Sequence, residues 1–143
     1  MEPRISIITL GVEDMDRSLR FYRDGLGFET SAEEGAGIVF FRTGGTCLGL
    51  YPRDKLAEDV APGHPAERGA FPGITIAHNT REKAQVDALL AQAERAGGTI
   101  LKPAQDAFWG GYSGYFADPD GYLWEVAYSD AWQFHADGSL VIE

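Results

Sequence analysis

The stretch Phe108–Tyr128 reads FWGGYSGYFADPDGYLWEVAY. An aromatic, glycine-rich loop leads into a strand, an Asp118-Pro119-Asp120-Gly121 turn and a second strand. The second strand sets one carboxylate, Glu125, among apolar neighbours. Burying a carboxylate is costly unless something meets its charge. Glu125 therefore faces a cavity holding water, metal or substrate, or it pairs with a buried cation. Three roles fit it. It can be a solvated relic on a cavity floor, an anchor for an amine or hydroxyl of a bound molecule, or a general base among the apolar walls Ile7, Leu50 and Leu123. Asn79 and Thr9 are expected to face the same cup. Trp109, Tyr112 and Tyr115 come from a loop rich in glycine (Gly110, Gly111 and Gly114), which can move and carry flat apolar surface over a pocket. The same rings could instead close the core or a dimer contact.

Other chemistries find less support. Arg17, Arg20 and Arg23 alternate with Asp16 and Asp24, which reads as a solvated helix face. Ser18 has no His-Asp partner in sequence reach, and the glycine stretches match neither GxxxxGK nor GxGxxG in context. His78 is expected to be a packed structural histidine on the helix-facing side of its strand, opposite Thr75, Ala77 and Asn79. His64 falls in a proline-rich linker and His135 in the tail.

The elements that must position these residues repeat in two halves. Ile5–Val12 reads as a strand, Asp14 as a helix cap, and Met15, Leu19, Tyr22 and Leu26 recur at helical spacing. Short strands are expected at Phe28–Ser31, Gly37–Thr43 and Thr46–Tyr51. The second half repeats that order: a strand at Gly73–Asn79, a helix capped by Thr80 over about Glu82–Ala96, and strands at Thr99–Pro103, Tyr112–Ala117 and Tyr122–Tyr128. The halves share punctuation rather than residues. Residues 53–72 form a linker with one helical turn near Lys55–Asp59, and the tail carries Trp132, Phe134 and an Asp137-Gly138 hairpin turn. Aromatics in a solvated tail would be wasted, so the tail is expected to fold back onto the body or a partner subunit.

Composition narrows the partners. The 143 residues carry a net charge of −10, which repels phosphate backbones and anionic membranes. No apolar run approaches the ~20 residues of a membrane span. The N-terminus lacks a signal-peptide layout, and the single Cys47 allows no intrachain disulfide. A soluble cytoplasmic protein with no nucleic-acid or membrane partner is expected.

Two signatures, Val12-x-Asp14-x-x-Arg17-Ser18-Leu19-x-Phe21-Tyr22 followed by Leu26-Gly27-Phe28, and Phe116-Ala117-Asp118-Pro119-Asp120-Gly121 leading to Leu123-Trp124-Glu125-Val126, together with the repeated order, resemble the vicinal oxygen chelate superfamily. That group holds glyoxalase I, bleomycin-resistance proteins, extradiol dioxygenases and fosfomycin-resistance enzymes. The resemblance implies an α+β chain of two βαβββ modules (residues 4–52 and 73–128, then a tail at 129–143). Each module forms a half-barrel sheet with its helix on the outer face.

The resemblance also implies metal-ligand places in the first and last strands of each module. They fall on Ile7, Leu50, Thr75 and Glu125. Only Glu125 is a family-type ligand, so no cofactor is expected and a divalent metal is disfavoured. The expected function is binding of a small organic molecule in an aromatic cup by a homodimer. The alternative is an enzyme, a lyase, isomerase or dioxygenase-like member using Glu125 as base or metal ligand.

Overall fold

The computed structural model describes every residue except Arg4, Arg68, Ala70, Ile142 and Glu143. The expected first residue of module one, parts of the linker and the last two tail residues thus lie outside the described residues. These contain seven strands and three α-helices, an α+β fold in which no sheet closes into a barrel. The chain divides into two compact units, Met1–Pro72 and Gly73–Glu143.

In the first unit, strand β1 spans Ile7–Val12 and helix α1 Met15–Arg20. The Asp14 side chain accepts from Arg17 N at 2.9 Å, which starts the helix. A π-helical turn continues α1 over Phe21–Gly25. It ends where Phe28 N donates to Tyr22 O across Gly27, whose φ of 80° suits glycine. Strands β2 (Val39–Arg42) and β3 (Cys47–Pro52) complete a sheet of order β1-β3-β2, with β1 parallel and β2 antiparallel to β3. The strand expected at Phe28–Ser31 does not form. One ladder-like bond, Arg42 N to Glu29 O, joins that segment to β2. The polar run after it is tied to α1 instead, by Gly35 N to Asp16 Oδ1 at 2.7 Å and by Arg20 to Glu34 at 2.9 Å.

One face of this sheet packs under α1. Leu10, Val12, Val39, Phe41, Leu48 and Leu50 are buried there with Leu19, Phe21 and Tyr22. Tyr22 and Phe41 have ring centroids 5.6 Å apart, and Phe28 meets both rings. Helix α2 (Arg53–Val60) is a full eight-residue element where a single turn was expected. It lies on the sheet's other face because Gly11 has no Cβ. A methyl group there would stand 3.2 Å from Arg53 Cα and 3.3 Å from Leu56 Cδ2. Arg53 fixes the helix further, with Nη1 2.7 Å from Glu13.

The second unit holds β4 (Ile76–Asn79), α3 (Lys83–Arg95), β5 (Thr99–Asp106), β6 (Tyr112–Ala117) and β7 (Leu123–Tyr128). Its sheet order is β4-β7-β6-β5. Glu82 rather than Thr80 caps α3, in a capping box with Gln85. The Thr80 hydroxyl instead bonds the Glu82 and Ala127 carbonyl oxygens. Helix α3 covers one sheet face, where Val86, Leu90 and Ala93 meet the side of Phe116, Trp124 and Val126. Gly114 lies on that face, and a Cβ on it would come within 2.5 Å of Leu90 Cδ1.

The β6–β7 register is set by the Asp118–Gly121 turn. Asp118 Oδ1 accepts from Asp120 N at 2.9 Å and Tyr122 N at 2.8 Å, and Gly121 turns at φ 81°. From there Phe116 pairs with Trp124 and Tyr115 with Glu125. The tail forms the expected hairpin over Asp137-Gly138: Val141 N donates to Gln133 O and His135 N to Ser139 O.

Candidate functional site

Paired residues on neighbouring strands project to the same side, and successive residues alternate. In the second unit, Phe116, Trp124 and Val126 occupy the helix side. Ser113, Tyr115, Leu123, Glu125 and Ala127 therefore share the opposite, open face, with Ala77 of β4 beside Glu125. Glu125 is half-buried there. Its carboxylate is met by the Tyr115 hydroxyl, paired directly across the ladder. Burial first, and this hydrogen bond second, raise the Tyr115 pKa above its ordinary 10.0. The phenol thus stays a neutral donor at physiological pH. Lys102 Nζ lies 5.8 Å from the Tyr115 ring centroid, a cation above the ring and no ion-pair partner of Glu125.

Four residues back along β6, roughly 13 Å at about 3.3 Å per residue, the same alternation reaches Gly111. The Trp109 ring lies over it. A Cβ built at Gly111 would fall 1.7 Å from Trp109 Cζ3. Trp109 stacks on Trp132 of the tail with centroids 5.7 Å apart and planes at 22°. The tail thus folds back onto its own unit. Ser113 and Ala127, both small and buried, lie between the tryptophan pair and the Tyr115–Glu125 pair. The face therefore offers one aromatic end and one oriented carboxylate with a phenol beside it. Such a carboxylate can accept hydrogen bonds from an ammonium or hydroxyl, or take a proton from a group held against it.

Other expected site residues lie elsewhere. Tyr112 projects to the helix side, where its hydroxyl donates to Asp87 Oδ1 at 3.0 Å and Lys83 sits 4.4 Å from its ring centroid. Thr75 precedes β4 and is exposed. Asn79 is the exception: half-buried at the end of β4, it pairs with Ala127 and so keeps to the side of the open face, and it also borders a cavity with His78. His78 does face α3, as alternation requires, but it is exposed rather than packed. The cavity walls still desolvate its imidazole and lower its pKa below 6.5.

In the first unit, Ile7 and Thr9 lie on the open face, opposite Cys47 and Gly49. Leu50 does not join them. It pairs with Leu10 and Val39 on the face under α1 and is fully buried. The open position beside Thr9 belongs to Gly49, whose missing side chain leaves room for the Thr9 hydroxyl and the Phe40 ring. A cavity of about 570 Å³ lies there, with Thr9, Ile38 and Tyr51 on its sheet side and Lys55, Leu56 and Asp59 of α2 above. Lys55 and Asp59 are one helical turn apart, a signal visible in sequence only once the linker is read as a full helix.

Among the described residues, no three His, Cys, Asp or Glu side chains are placed to hold a metal ion, and no helix is long and apolar enough to cross a membrane.

Residues 4–126 match the Glyoxalase/Bleomycin resistance protein/Dioxygenase superfamily. A glyoxalase-related enzyme from Fulvimarina pelagi is 35% identical, with 98% of each chain covered and a TM-score of 0.87. A lactoylglutathione lyase from Agrobacterium tumefaciens is 26% identical over 94% of this chain and 100% of that one, TM-score 0.67. A family member from Nocardioides is 24% identical over 90% of this chain and 84% of that one, TM-score 0.73, which speaks for the fold. No curated protein matches the chain.

Proposed function

The chain belongs to the Glyoxalase/Bleomycin resistance protein/Dioxygenase superfamily, and we propose that it binds a small organic molecule on the open face of its second module without the family's metal. The observation that carries this reading is the Tyr115–Glu125 pair, a half-buried carboxylate held by a neutral phenol on a face that ends in stacked tryptophans. A carboxylate so placed selects an ammonium or hydroxyl group, and the rings of Trp109 and Trp132 suit an apolar or aromatic body. Ile7, Leu50 and Thr75 offer no carboxylate, imidazole or thiolate, so the donor set of this chain does not fit a divalent centre. The lyase named among its structural relatives keeps an enzymatic reading in view, with Glu125 as base. The same carboxylate would serve both, and binding is the part the donors support.

The test uses phenethylamine as a cationic aromatic probe and phenethyl alcohol as its neutral analogue, read by quenching of tryptophan emission. Saturable quenching by the amine, weakened about tenfold in Glu125→Gln, agrees with loss of one charge-assisted hydrogen bond. Equal affinity in the variant, or no saturable change with either probe, contradicts the reading. The reading includes a homodimer: Ile5, Ile7, Ile38 and Phe40 leave apolar surface exposed on module one, and a second copy of this chain is assigned to it. Sedimentation equilibrium at the mass of one chain would overturn that part.

A further inference from the structure

On the helix side of the second module, away from the Tyr115–Glu125 face, lies a cavity of about 450 Å³. Its walls come from three separate segments: the end of β4 and the residues after it, the first half of α3, and the C-terminal hairpin. Ala88, Leu89 and Phe134 supply apolar surface, while His78, Asn79 and Arg81 supply polar groups.

Arg81 is the distinctive group. Its guanidinium lies over the Phe134 ring at 4.9 Å, and one Nη2 hydrogen bond to His135 O at 3.3 Å fixes its direction. Among the described residues it forms no ion pair, in a chain with 22 acidic residues against 12 basic ones. A guanidinium has five N–H donors in a planar fork, of which the carbonyl uses one. Beside it, Gln85 is oriented by accepting from Arg81 N at 3.0 Å and Glu82 N at 3.1 Å. The hairpin that holds Phe134 is itself locked: Asp137 Oδ1 accepts from Ser139 N at 2.9 Å and from Ser139 Oγ at 2.7 Å. A cation is thus preoriented at a half-apolar cavity with no ion-pair partner among the described residues.

We propose that this cavity is a second ligand site, taking a small organic monoanion, a carboxylate with an apolar or aromatic body. Arg81 would receive the carboxylate through its free guanidinium donors. His78 would add an uncharged donor, and the body would lie against Leu89 and Phe134. A single guanidinium neutralises one negative charge, so a monoanion fits better than a phosphate dianion. Small-molecule sites commonly have this form, apolar walls with a few placed polar groups.

Benzoate is the probe, titrated into the full chain and followed through backbone amide shifts by NMR, with benzyl alcohol as the uncharged comparison. Saturable shifts at Thr80, Arg81 and Phe134 with benzoate, but not with benzyl alcohol, are expected. Arg81→Gln should weaken binding about tenfold, the equivalent of one charge-assisted hydrogen bond, and Arg81→Lys should keep part of it. Arg81 is exposed, so both variants should fold. Unchanged affinity in Arg81→Gln would overturn the proposal. So would shifts centred on Tyr115 and Glu125, which belong to the other face, or no saturation below about 20 mM, beyond the range of a specific site.

Discussion

Gly114→Ala tests how tightly the second module is built around its open face. The added methyl points toward α3, 2.5 Å from Leu90 Cδ1, 2.8 Å from Lys102 O and 3.0 Å from Ala104 N. Leu90 can turn aside, but the two backbone atoms belong to β5, whose ladder with β6 is already irregular between Ile100 and Gln105. Moving them means shifting β5 against β6. Overpacking of this kind costs about 1–3 kcal/mol, and backbone partners place it near the upper end. Replacing glycine also removes freedom from the unfolded chain, returning about 0.7 kcal/mol. The net loss is about 2 kcal/mol. At roughly 3–4 °C per kcal/mol for a chain of this size, the midpoint should fall by about 7 °C. Calorimetric unfolding measures it, with Gly37→Ala as control because nothing stands within 4 Å of a Cβ there. A Gly114→Ala midpoint equal to that of the control would refute the close packing of β5, β6 and α3.

The nearest atoms Gly111→Ala meets belong to the Trp109 ring, which is 42% exposed. The substitution should separate Trp109 from Trp132 and remove their coupled near-UV circular dichroism at a cost of about 1 kcal/mol; an intact signal would show the ring does not lie over position 111. Glu125→Gln should bring down the pH of one tyrosinate absorbance step, because the Tyr115 hydroxyl loses its anionic acceptor, while the larger raising effect of burial remains. Asp87→Asn should lower a different step, that of Tyr112, whose shift comes first from its hydrogen bond to Asp87. His78 is held below 6.5 by burial, so the unfolded chain takes its proton first and stability falls as pH drops from about 6.5 through the folded value. His78→Gln should therefore lose less melting temperature than the parent between about pH 7 and pH 5; equal losses would mean His78 is as solvated folded as unfolded.

Local chemistry carried much of this architecture in plain view. Asp14 starts α1, the Asp118–Gly121 turn fixes β6 against β7, and counting outward from that turn sets Tyr115 opposite Glu125. The misplaced residues lie where one signal hides another. Cys47-Leu48-Gly49-Leu50 is an apolar run without alternation, so the face of Leu50 was not legible, and the parallel pairing with Leu10 decided it. Tyr112 and Tyr115 are three apart on one strand and must face opposite sides, a consequence concealed when both are read as part of a loop. Helix α2 sits between prolines, and its anchor is Gly11, more than forty residues earlier, a contact no local pattern reveals. His78 looked like packing from its strand face, yet the hairpin and α3 leave a cavity beside it. Phe28–Ser31 failed as a strand because the acidic run after it is bonded to α1 rather than to the sheet.

The central claim is that the open face of module two, with Tyr115 and Glu125, binds its ligand without the family's metal. Calorimetric titration of the chelator-treated protein with Co(II), Ni(II), Zn(II) and Mn(II), with Glu125→Ala in parallel, tests it most directly. The account predicts no binding beyond what the variant shows. One tight ion per chain, abolished by Glu125→Ala, would contradict it and place metal-assisted chemistry at Glu125.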